Sequence, residues 1–207
     1  MNSLQKQRDN WYNISAALGC GSTGNTLDRM RQQPFETISN AVFKVSLSPG
    51  RSPVRSIPPF YPLVDNETVF ADYTSCAASG DFAKLPYFHG QNDHEQGYYV
   101  IPAFAQGRNV TDAQILQFLL ESFVCPFSYE ARQRRQQNVP VWVYRYYGDW
   151  DNTRLYPTSN AYHGTELGMI LGASQDMSGL PASQAQNETS RLFQRAVAAF
   201  ADDSSAV

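Results

Sequence analysis

Two short runs in this chain read as β-strand, and the helical periodicity around them limits the folds open to it. Val139 to Tyr147 (VPVWVYRYY) is dense in β-branched and aromatic residues, with Val141, Val143, Arg145 and Tyr147 on one face. Leu85 to Gly90 is the second run, and it leads into a polar, acidic loop. Between them Thr111-Asp112-Ala113-Gln114 has the form of a capping box, and Ile115, Phe118 and Leu119 follow on one helical face. Strands separated by helices predict a parallel sheet in an α/β fold. Two strands in 207 residues predict part of such a sheet, incomplete and flanked by helices.

The rest of the chain reads mainly as helix and loop. Trp11, Ile14 and Leu18 predict a helix over residues 10–18 that Gly19 ends. Pro34 sits at a first helical position, with Phe35, Ile38 and Val42 on the face to be buried. Five prolines between Ser46 and Pro62 predict a loop. After Gly164 a helix carries Leu167, Ile170 and Leu171. A final helix over Thr189 to Ala201 is predicted to bury Leu192, Phe193, Ala196 and Phe200.

Composition removes several function classes. Net charge is −3, and charged residues make up only 17% of the chain. No basic stripe exists for a phosphate backbone, so nucleic acid is not an expected partner. No apolar run reaches the ~20 residues of a membrane span. At 13% aromatic the chain is too apolar for disorder and long enough to bury a core. The first ten residues are polar and lack the apolar region of a secretory signal. Four N-x-S/T sequons nevertheless begin at Asn13, Asn66, Asn109 and Asn187, candidate glycosylation sites of a secreted chain. Cys20, Cys76 and Cys125 allow at most one internal disulfide, and their spacing matches no zinc motif.

Histidine is scarce, which narrows the search for chemistry. His89 and His94 share a segment with Asp93 and Glu95, but no H-E-x-x-H or similar ligand pattern is present, and no metal is expected. His163 follows a strand-like segment and precedes a helix. Open α/β sheets place functional residues in such loops, beyond the strand ends.

These segments resemble a known family. Gly90-Gln91-Asn92-Asp93-His94-Glu95 is similar to the acid loop of type-B carboxylesterases and cholinesterases. Tyr162-His163-Gly164-Thr165-Glu166-Leu167, with Leu171-Gly172 after it, resembles the family's catalytic-histidine segment. Ala17-Leu18-Gly19-Cys20 and Arg29-Met30-Arg31-Gln32-Gln33-Pro34 fall where the family has its Gly-Cys and Cys-Leu-Arg-x-x-Pro signatures, with Arg29 in place of the disulfide partner of Cys20. Phe60 to Asp65 resembles a Pro-x-x-Asp-Gly segment in which Asn66 replaces the glycine. Phe123-Val124-Cys125-Pro126 and Val139 to Tyr146 resemble the run before the histidine loop in the secreted fungal branch.

The resemblance implies an α/β-hydrolase fold, with residues 1–207 as a single partial domain, the C-terminal portion of the catalytic domain. It implies Glu95 as the triad acid, with Asp93 as its rival, and His163 as the base. Tyr98 and Tyr99 are then pocket-lining aromatics. The chain order of acid before histidine is that of α/β-hydrolases. The reaction implied is serine-dependent hydrolysis of a small-molecule or lipid ester, outside the cell, without a cofactor. The nucleophile elbow G-x-S-x-G is absent from the sequence, as is the HGG-type oxyanion loop. The nearest run, Cys20-Gly21-Ser22-Thr23-Gly24, falls in a structural loop of the family, so Ser22 is rejected as nucleophile. The expectation is a fragment of an esterase, inactive by itself. The alternative is a binding or adhesion module on a degenerate hydrolase scaffold.

Overall fold

The computed structural model describes residues 4–45, 48–49 and 52–204, which form two compact units, 1–72 and 73–207. The predicted features at Met1 to Ser3, Ser46, Leu47, Gly50, Arg51 and Ser205 to Val207 lie outside the described residues.

The first unit is built on α1 (Leu4–Ala17), α2 (Leu27–Arg31) and α3 (Phe35–Phe43). α1 reaches back to Leu4, well before the predicted Asn10, and its first turns are polar, so no apolar stripe marked them in the sequence. Its end is as predicted. Gly19 takes φ +69°, its N–H donates to Ala16 and that of Cys20 to Ser15, which closes a Schellman cap. Ile14, Cys20 and Met30 form the core, with Trp11, Leu18, Ile38 and Val42 packed against it. Phe35 departs from its predicted place: it is 77% exposed, in the first turn of α3 just after the capping residue Pro34. The predicted proline loop contains the two-residue antiparallel strands β1 (Ser48–Pro49) and β2 (Ser56–Ile57). The Asn10 amide donates to the Pro59 carbonyl at 2.8 Å and ties this loop to α1.

Two details concern positions where the sequence departs from the signatures it resembles. The Arg29 guanidinium donates to the Cys20 carbonyl, so a hydrogen bond stands where Arg29 replaces a cysteine, and all three cysteines are free. Asn66 adopts φ +59°, a left-handed conformation that asparagine tolerates better than other side chains. The Asp65 carboxylate accepts the Thr68 hydroxyl and the N–H groups of Glu67, Thr68 and Val69 beside it. These donors hold its pKa below the usual carboxylate range.

The second unit contains the sheet. β3 (Tyr87–Asn92) and β4 (Val141–Tyr146) pair in parallel, Tyr87 opposite Val141 and Asn92 opposite Tyr146. The crossover between them carries α5 (Gln96–Ala105), α6 (Asp112–Leu119), a π-helical turn (Leu120–Val124) and α7 (Cys125–Gln136), preceded by α4 (Tyr73–Ser79) before β3. The Thr111–Gln114 capping box forms as read from sequence.

Strand alternation sends the two sheet faces to different helices. On one face Phe88 and Trp142 meet Phe200, while Tyr144 and Tyr146 meet Phe193, all from α10 (Gln184–Asp202). On the other, Tyr87 stacks under Arg134 and His89 packs on Phe127, both from α7. α8 (Leu167–Ile170) and α9 (Ser174–Ser178) complete the unit.

The predicted burial is corrected in α10 and around α8. Leu192 is 59% exposed, and Leu167 and Leu171 also lie outside the core. The buried stripe of α10 starts with polar residues, Gln186 and Ser190, and the Ser190 hydroxyl donates to the Met169 carbonyl at 2.7 Å. That contact turns α10 so that Phe193 points inward and Leu192 outward. It also makes Met169, with no exposed surface, the apolar centre of α8 beside Tyr146 and Ala161. Met169→Ala is therefore expected to cost about 2–5 kcal/mol of stability. Leu192→Ala is expected to cost less than about 1 kcal/mol. Urea denaturation of the two variants measures the difference.

Candidate active site

Parallel pairing delivers two loops to the same end of the sheet. Beyond Asn92 the ladder runs on for one bond, from the Asp93 N–H to the Tyr146 carbonyl at 2.8 Å. The His94 N–H then donates to the Ala161 carbonyl at 3.0 Å, which fastens the acidic loop to the segment just before His163. The loops approach at backbone distance at Gly97, where a Cβ would lie 2.6 Å from the Ser159 carbonyl oxygen. The Tyr156 hydroxyl adds a bond to the Gly97 carbonyl at 2.8 Å.

Within this frame Glu95 and His163 meet. Glu95 is 4% exposed at the start of α5, and its Oε2 lies 2.6 Å from His163 Nδ1. Its Oε1 accepts the Asn92 backbone N–H at 2.7 Å. The His163 side chain is 46% exposed. The hydrogen bond that Nδ1–H donates to Glu95 raises the histidine pKa above its ordinary value, burial opposes the shift, and the Glu166 charge adds to it. With Nδ1–H committed to the carboxylate, the neutral imidazole carries its lone pair on Nε2. Such a pair can accept a proton at Nε2 and stabilise the resulting imidazolium.

The other sequence candidates are distributed around this pair. Asp93 pairs with Arg145 at 2.7 Å, whereas His163 takes Glu95. Tyr99 lies against the imidazole, ring centroids 5.3 Å apart, while Tyr98 is half-exposed and packs edge-on to Tyr99. Phe123, which sequence reasoning assigned no role, also touches His163, at 5.4 Å. It comes from the π-helical turn, a local irregularity that no periodicity would show. His89 bonds the Tyr87 hydroxyl at 3.0 Å through Nδ1 and packs on Phe127, and burial lowers its pKa. The run from His89 to Glu95 therefore splits among separate partners. Among the described residues no cluster of three or more His, Cys, Asp or Glu could hold a metal ion.

Ser22 follows a helix, α1, and is exposed in a turn of the first unit; it occupies no strand-to-helix elbow. The four sequon asparagines are all exposed, Asn66 and Asn109 in loops and Asn13 and Asn187 within α1 and α10. Among the described residues no helix is long and apolar enough to cross a membrane.

Two substitutions separate the roles of the neighbouring carboxylates. Glu95→Gln should lower the His163 pKa, because it removes the charge that favours the imidazolium. Asp93→Asn should leave it nearly unchanged, since that charge is spent on Arg145. An NMR titration of the histidine ring protons reads both. The stability that the pair contributes is full below the ordinary histidine pKa of about 6.5. It fades as pH rises through the raised folded value.

No family model matches the chain. It is 29% identical over 196 residues to a chlorogenic acid esterase of Aspergillus niger, a match that covers 94% of this chain and 36% of that protein. It is 30% identical over 112 residues to secreted lipase 1 of Botryotinia fuckeliana (strain B05.10), covering 54% of this chain and 18% of the lipase. The chain thus spans about a third or less of the curated relatives it matches, and both relatives are named as hydrolases of esters or lipids.

Proposed function

We propose that the chain supplies the acid and the base of a serine-dependent carboxylic-ester hydrolase of the type-B carboxylesterase kind. The observation that carries this reading is the 2.6 Å hydrogen bond between a buried glutamate and a half-exposed histidine, joined across 68 residues. Their chain order is that of α/β-hydrolases. The named activities of the two relatives support the same class.

In this reading residues 1–207 are one part of a catalytic domain with an α/β-hydrolase fold, and the nucleophilic serine belongs to another part of the whole protein. The serine Oγ attacks the ester carbonyl while His163 Nε2 takes its proton. Glu95 stabilises the imidazolium. The tetrahedral intermediate collapses, His163 returns the proton to the leaving alcohol, and an acyl-serine remains. Water activated by the same imidazole then attacks the acyl-serine and frees the acid. No cofactor takes part. The substrate is a small-molecule or lipid ester, and Tyr98 and Tyr99 line part of its pocket. The whole protein works outside the cell, with glycans on its exposed sequons.

The rival reading, a binding module on a degenerate scaffold, gives no reason for a buried carboxylate to be held against an accessible imidazole. Without the serine and its oxyanion donors the pair should do almost nothing. These 207 residues expressed alone are expected to hydrolyse no p-nitrophenyl ester and to take no fluorophosphonate label. The whole protein should do both. In it His163→Ala should lower kcat by about ten-thousand-fold or more. The rate should rise with pH through the raised His163 pKa, since the base must be neutral. A whole protein inert to both probes, or indifferent to loss of His163, overturns the reading.

A further inference from the structure

Asn92 is the last residue of β3, nearly inaccessible, and it touches both sides of the acid–base pair. Its backbone N–H holds Glu95 Oε1 at 2.7 Å. Its side-chain amide donates to the Tyr162 carbonyl at 2.7 Å, the peptide directly before His163. The same amide nitrogen donates to Glu166 Oε2, three residues after His163. One residue thus brackets the histidine on both sides in sequence and fixes the carboxylate that the histidine uses.

We infer that Asn92 is a positioning residue for the Glu95–His163 pair, holding the histidine loop at hydrogen-bond distance from the acid. The inference rests on the reading proposed above. Residue chemistry at the position is narrow. A primary amide offers two N–H donors, and both partners here are acceptors. An aspartate would offer none, and its charge would face the Glu166 carboxylate in a buried setting. Alanine would leave the Tyr162 carbonyl without this donor and the Glu166 oxygen without this tie. The backbone bond to Glu95 survives any substitution except proline, so Asn92→Ala isolates the side-chain clamp.

Because the pair must align to well within an ångström, a loosened histidine loop acts on the chemical step rather than on substrate binding. In the whole protein, Asn92→Ala should reduce kcat by about tenfold to a hundredfold with KM little changed. The acidic limb of the pH profile should move down, toward its position in Glu95→Gln. The unsubstituted protein should show a low-field NMR resonance for the His163 Nδ1 proton, and in Asn92→Ala it should broaden or move upfield. An Asn92→Ala protein that folds with the limb and the resonance unmoved overturns the inference.

If Asn92→Ala does not fold, the unsubstituted protein provides the test. The two Asn92 side-chain amide protons should exchange slowly and shift with the midpoint of the His163 titration. Fast exchange, or no shift at that midpoint, overturns the inference. Glu95→Gln keeps the two readings apart. If it fails to lower the His163 pKa, the acid–base reading itself is lost. If it lowers the pKa while Asn92→Ala does not, only the clamp is lost.

Discussion

Parallel pairing of β3 with β4 is the constraint on which the site depends. Parallel strands end at the same edge of a sheet, so the segments leaving Asn92 and Tyr146 emerge side by side. An antiparallel pair would send them to opposite ends and leave Glu95 and His163 separated by the length of a strand. The bond from the Asp93 N–H to Tyr146 and that from the His94 N–H to Ala161 carry the register into the loops. The placement of a carboxylate against an imidazole is in this sense a property of backbone pairing before it is one of side chains.

The two partners need opposite environments. The carboxylate must be withdrawn from water so that its charge acts on one ring, and burial without compensation would be costly. The Asn92 backbone N–H and the histidine offset that cost, one at each oxygen. The imidazole must stay open on its other side, which is reflected in its partial exposure. Aromatic rings at Tyr99 and Phe123 pack against the imidazole and restrict it.

Much of this could be read from the residues, and the omissions have physical causes. VPVWVYRYY announces β4 because β-branched and aromatic residues fit a pleated, half-buried surface. Glu95 and His163 could be singled out because their loops resemble known esterase segments over several residues each, and the structure brings the two side chains together. α5 was not, since Tyr98-Tyr99-Val100-Ile101-Pro102 looks extended and its helix is held by contacts from outside it. α7 was hidden for the opposite reason: its sequence is rich in Arg and Gln, and it buries no residue fully. In α10 Phe193 and Phe200 reach the sheet as read, but Leu192 does not, because the stripe continues toward the N-terminus through a serine and a glutamine that face inward. Phe123 depends on a π turn and Asn92 on a side chain that reaches across 70 residues, and neither contact has a local periodicity to betray it.

The helical crossover also governs how such a site comes into being. Its helices can form from neighbouring residues within microseconds, whereas closing β3 on β4 brings together residues more than fifty positions apart in the chain. Loop closure must precede every reward the strand pair offers, so the ladder is assembled late. Glu95 and His163 lie beyond the far end of that ladder. Their meeting therefore reports that this unit has finished folding, and a chain caught short of it would present helices and exposed aromatic strands with no acid–base pair at all.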